Sequence, residues 1–137
     1  MSPQTERNLE KAMALEAFAN AKYTRFAACA RRNENPDLAR LFQIAADMDR
    51  SVHFRREFDF AHMPCDDAEN LQAAISDKDA VIAMYSEFIR QAEADGDHSA
   101  AALFDSIRQE EKVQAGSFKA ALDKLRSEFL REEAVEA

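Results

Sequence analysis

Residues that break helices are nearly absent from this chain, and that scarcity limits its fold more than any other feature. Two Gly and three Pro occur in 137 residues. Apart from Pro3 and Gly116, they fall with turn-forming Asn and Asp residues into three short clusters. These are Asn33-Glu34-Asn35-Pro36, His62-Met63-Pro64-Cys65-Asp66-Asp67 and Asp95-Gly96-Asp97. The four segments so delimited, each of roughly 25 to 30 residues, are rich in Ala, Leu, Glu, Arg and Lys. Such composition with a three-four apolar spacing predicts amphipathic helices. A sheet protein of this length needs many tight turns, so the composition disfavours an all-β fold. Four long helices with short connections predict an all-α four-helix bundle. The length suits one domain, residues 1–137, with the charged segment after about 127 expected to fray.

Charge and apolar content narrow the classes of function. The 26 acidic residues outnumber the 18 basic ones, a formal net charge of -8, which disfavours a nucleic-acid surface. No apolar run reaches the length of about 18 residues needed to span a membrane. Met1-Ser2-Pro3-Gln4 does not open a charged-then-apolar export signal. Cys29 and Cys65 are too few for a disulfide framework, so a reducing, cytoplasmic setting is expected. Each is read as a small buried or surface thiol, and His62 and His98 as surface histidines.

The chain also repeats itself. Shifted by 62 positions, the halves align without a gap: Asn8-Leu9 on Asn70-Leu71, Tyr23 on Tyr85, Phe26 on Phe88, Leu41-Phe42 on Leu103-Phe104 and Asp49-Arg50 on Glu111-Lys112. A match that runs through aromatics and a turn predicts two helical hairpins of one design. On the seam of the first helix, Leu9, Met13, Glu16, Asn20, Tyr23, Ala27 and Ala30 follow bundle spacing. The other three helices each carry one charge near the same height, at Asp49, Lys78 and Glu111. Isolated charges are expensive inside a bundle, so four at one level suggest a site. The alternative is that they lie at the seam edge and reach water.

These residues resemble the rubrerythrin family of the ferritin-like superfamily. The resemblance is carried by Thr5 through Ala12 with Glu16 and Tyr23, by Leu38 through Phe42, by Glu69 through Ile75 with Met84 through Phe88, and by Phe104 through Glu111. It covers about residues 5 to 125 and omits the rubredoxin-like domain of many relatives, since no pair of Cys-x-x-Cys motifs occurs. It implies a ferritin-like bundle of two hairpins. It also implies a site for two iron ions that reduces peroxide or oxidises iron. In that family helices one and three supply glutamates, and helices two and four each supply Glu-x-x-His.

By that resemblance the metal candidates are Glu16, Asp49, His53, Asp77 and Glu111. Asp49 takes the place of a glutamate. The expected histidine position is Val52, but the spacing to Phe58 and Phe60 favours its neighbour His53, which implies a local slip. Gln114 takes the second histidine position. On the third helix two anchors disagree by one residue, giving Asp77 or Lys78. Tyr23 and Tyr85 are implied as hydroxyl partners of the ligating carboxylates, with Gln114 beside them. Neither Glu-x-x-His is intact, and this opens a second expectation. The Lys78 ammonium would replace the metal charge and pair with the carboxylates. The chain would then be a metal-free binding or assembly protein without a cofactor.

The second break bears on assembly. The ferritin-like resemblance implies parallel second and third helices, which need a crossover along a helix of about 37 Å. Residues from about 61 to 70 reach only roughly 30 to 35 Å when fully extended. A homodimer that exchanges hairpins is therefore expected, with an up-down-up-down monomer as the alternative.

Overall fold

The computed structural model describes residues 1–63 and 65–136. Every regular element among them is helical. In order these are α1 (Pro3–Arg32), α2 (Pro36–Met48), a π-helical turn (Asp49–Phe54), α3 (Arg55–Phe60), α4 (Asp67–Asp95) and α5 (His98–Glu136). The π turn joins α2 and α3 without a break, so residues 36–60 form one rod. Two compact units result, Met1–Met63 and Pro64–Ala137, each an antiparallel hairpin of the kind the repeat predicts. Helix continues through Glu136, across the segment expected to fray. The second break is shorter than expected, because α4 already begins at Asp67.

The helix starts follow from their caps. The Ser2 hydroxyl accepts from the Thr5 N–H, Asn35 from the Leu38 N–H and Asp66 from the Glu69 N–H. Each side-chain oxygen thereby satisfies a backbone donor that the helix leaves unpaired. Pro3 and Pro36 occupy first-turn positions, where no N–H is required.

The two hairpin turns are built alike, bond for bond. The Asn35 N–H donates to the Ala30 carbonyl at 2.9 Å, and 62 positions on the Asp97 N–H donates to the Ala92 carbonyl at 2.8 Å. Glu34 and Gly96, also 62 apart, both adopt left-handed backbone, with φ of 58° and 80°. This is a left-handed helix C-terminus that satisfies the last carbonyls. Glycine meets it without strain, whereas Glu34 carries a Cβ there.

Burial repeats as well. In the first hairpin Met13, Ala27, Ala30, Ala39 and Ala46 are buried; in the second, Ile75, Ala92, Ala101, Ala115 and Leu122. Alanine at the crossing points lets two helices approach closely. Larger apolar groups close the turn end of each hairpin. Tyr23, Phe26 and Phe42 form one ring cluster, with centroids 5.4–6.1 Å apart. Tyr85, Phe88 and Phe104 form its counterpart, at 5.7–6.2 Å. A two-helix layer has no interior for the remaining apolar side chains. Leu15, Phe18, Leu41 and Ile44 are accordingly 57–63% exposed.

A candidate metal centre in the first hairpin

Three predicted ligands converge in the first hairpin. Glu16 lies midway along α1, while Asp49 and His53 lie in the π turn of the facing rod. His53 Nδ1 is 3.4 Å from Glu16 Oε2 and 3.3 Å from Asp49 Oδ1. One ligand atom from each residue lies within 4.8 Å of the others. Their side chains are 29%, 14% and 42% exposed for Glu16, Asp49 and His53, so water reaches the cluster from the His53 side.

The π turn explains the slip anticipated at Val52. An i→i+5 turn takes in one residue more than an α-helical turn. Residues four apart share a helix face, so Asp49 and His53 both turn to α1, and the π turn adjusts the angle between them. Val52, at the expected histidine position, is 38% exposed and outside the cluster.

The donor set fits a transition metal. Ligand atoms about 2.0–2.2 Å from a common ion lie roughly 2.8–3.1 Å apart when adjacent in octahedral geometry and roughly 3.3–3.6 Å apart in tetrahedral geometry. The two separations from His53 Nδ1 match the tetrahedral spacing. Two carboxylates and one imidazole suit iron or manganese, with zinc as a competitor. Beside the cluster lies an open groove lined by Leu9, Glu16, His53, Arg56, Glu57 and Phe60, which gives a small molecule access.

The second hairpin solves the same position differently. Lys78 stands at the repeat of Glu16, and its Nζ donates to Glu111 Oε2 at 2.5 Å. Both side chains are about four-fifths buried, at 22% and 20% exposure. The carboxylate that corresponds to Asp49 is thus neutralised by a cation the chain itself supplies.

Other predicted residues lie elsewhere. Asp77 is exposed, so of the two anchors on the third helix Lys78 is the one that reaches the facing helix. Gln114 is exposed and makes no hydrogen bond to Lys78 or Glu111 among the described residues. The Tyr23 and Tyr85 rings belong to the aromatic clusters. Neither hydroxyl bonds a site carboxylate among the described residues, because the rings pack toward the turn end. Arg56 lines the groove beside His53.

No family model and no curated protein matches this chain. No helix among the described residues is long and apolar enough to cross a membrane.

The strongest titration shift lies on the surface. Hydrogen bonds from Arg90 and Gln91 hold the Glu87 carboxyl at about 2. Those from Arg108 and Gln109 lower Asp105.

Proposed function

We propose that this chain is a rubrerythrin-like, ferritin-fold protein whose metal chemistry is reduced to one ion. That ion, iron by the family resemblance, is held by Glu16, Asp49 and His53. The observation that carries the reading is the convergence of three ligand atoms of the right kinds within 4.8 Å of one another. Iron bound there would supply one-electron redox chemistry toward peroxide or oxygen, or would itself be the substrate of an iron-oxidising reaction. The chain's own contribution is a set of anionic oxygens that favour the oxidised ion, a half-exposed imidazole and an open approach beside Arg56.

The Lys78–Glu111 pair supports one ion rather than two. A second cation next to Lys78 would meet an ammonium already bound to the carboxylate it needs. The same pair favours a second reading, in which the protein is metal-free. His53 Nδ1 then bridges Glu16 and Asp49, and the helical scaffold serves binding or assembly.

The ferritin-like arrangement belongs to this proposal, and it implies a homodimer. The six residues 61–66 span at most roughly 25 Å. The rod of residues 36–60 is about 37 Å long. Hairpins exchanged between two copies meet that limit, and the exposed apolar side chains of each hairpin give such an exchange its driving force. Sedimentation equilibrium tests it: a species of twice 15.5 kDa is expected, and a monomer at all concentrations would remove the exchange. For the metal, the test is titration with Co(II) in the absence of chelator. One ion per chain is expected in wild type and none in Glu16→Gln or His53→Ala. Wild type without cobalt uptake would leave the metal-free reading.

A further inference from the structure

The cluster includes a backbone irregularity, because Asp49 and His53 both lie in the π turn, which sets the angle at which His53 meets Glu16. Such turns are rare interruptions of an α-helix and persist where the surrounding structure holds them. The junction between α2 and the π turn shows what does. There the Asp49 N–H is shared between the carbonyls of Ala45 and Ala46. The Ala46 carbonyl then receives a second donor from the other helix: Asn20 Nδ2 donates to it at 2.7 Å. Ala46 is 0% exposed, so water cannot substitute. A buried carbonyl left poorly bonded costs about 1–3 kcal/mol.

The molecule carries its own control. Sixty-two positions on, Ile82 replaces Asn20 and Arg108 replaces Ala46. Ile82 offers no side-chain donor. The α5 helix remains regular past Glu111, with no π turn, and no histidine joins that carboxylate.

We infer that Asn20 is a positioning residue: its amide holds the π register of residues 49–54 through the Ala46 carbonyl and so sets His53 toward Glu16. Asn20 itself supplies no ligand atom. The functional consequence rests on the one-metal reading, whereas the structural consequence does not.

The test uses Asn20→Ile, the residue of the second hairpin, and Asn20→Gln, which keeps an amide donor. Crystal structures of the metal-free proteins read the register, and Co(II) titration with the visible d–d spectrum reads the site. In Asn20→Ile, residues 49–54 are expected to become regular α-helix and His53 to leave hydrogen-bond range of Glu16. Cobalt affinity is expected to fall about tenfold or more. Asn20→Gln is expected to retain the π turn and most of the affinity, which a purely structural role for any side chain of that size would not require. Should the isoleucine variant fail to fold, Asn20→Ala reads the same register. An unchanged π turn in the isoleucine or alanine variant overturns the inference, whatever the cobalt result. A wild type that binds no cobalt overturns the one-metal reading instead, and the register comparison still decides the role of Asn20.

Discussion

Replacing Lys78 with methionine leaves the Glu111 carboxylate four-fifths buried and without its cation. At an effective dielectric of about 20, opposite charges about 3 Å apart attract by roughly 5 kcal/mol, and much of that offsets desolvation. Exposed pairs are worth about 0.2–1 kcal/mol, while breaking a fully buried pair costs about 3–5 kcal/mol. The burial here places the loss between these, at about 2 kcal/mol. For a chain of this size that is a fall in melting temperature of roughly 8 °C. Thermal denaturation followed by circular dichroism measures it. The double variant Lys78→Met with Glu111→Leu removes both charges and is expected to recover most of the loss. Because the pair is shielded from solvent, 1 M NaCl should weaken it little. A Lys78→Met loss below about 0.5 kcal/mol, or a pair abolished by salt, would refute the picture of an internal ion pair.

The turns give a second prediction. Glu34→Gly relieves a left-handed residue and should stabilise the protein by about 0.5–1 kcal/mol, whereas Gly96→Ala at the repeat position should destabilise it by about 1 kcal/mol; urea melts read both. Ala27, fully buried at a helix crossing, should tolerate no enlargement: Ala27→Leu is expected to cost about 1–3 kcal/mol in the same melts. Glu87 should titrate near 2 by NMR. Its folded pKa lies below the ordinary 4.5, so its contribution is present above about 4.5 and is lost as pH falls from there toward 2. Glu87→Gln should remove that part of the acid dependence, and an unshifted carboxyl would contradict the assignment.

Much of the architecture is legible in the sequence because breakers alone delimit it. The 62-residue repeat extends to single hydrogen bonds in the two turns, since the same Ala, Asn or Asp positions recur there. The site is less legible, for local reasons. A one-residue offset on a helix turns a side chain by about 100°, so Asp77 and Lys78 cannot be separated without the facing helix. The spacing of Phe58 and Phe60 betrays a slip before His53, but apolar periodicity does not reveal that the slip is a π turn. Asn20 reads as one polar residue on an apolar seam, and its purpose appears only once the Ala46 carbonyl stands opposite. The resemblance assigns Tyr23 to a carboxylate seven residues earlier, yet Phe26 and Phe42 offer its ring a nearer apolar surface.

The central claim is that the first hairpin holds one metal and the second holds its own cation. Counting Fe, Mn and Zn per chain by elemental mass spectrometry, after expression in iron-supplemented medium and purification without chelator, tests it most directly. The account predicts close to one metal per chain in wild type and none in His53→Ala. Two metals per chain would contradict the role of Lys78, and none in wild type would contradict the site of Glu16, Asp49 and His53.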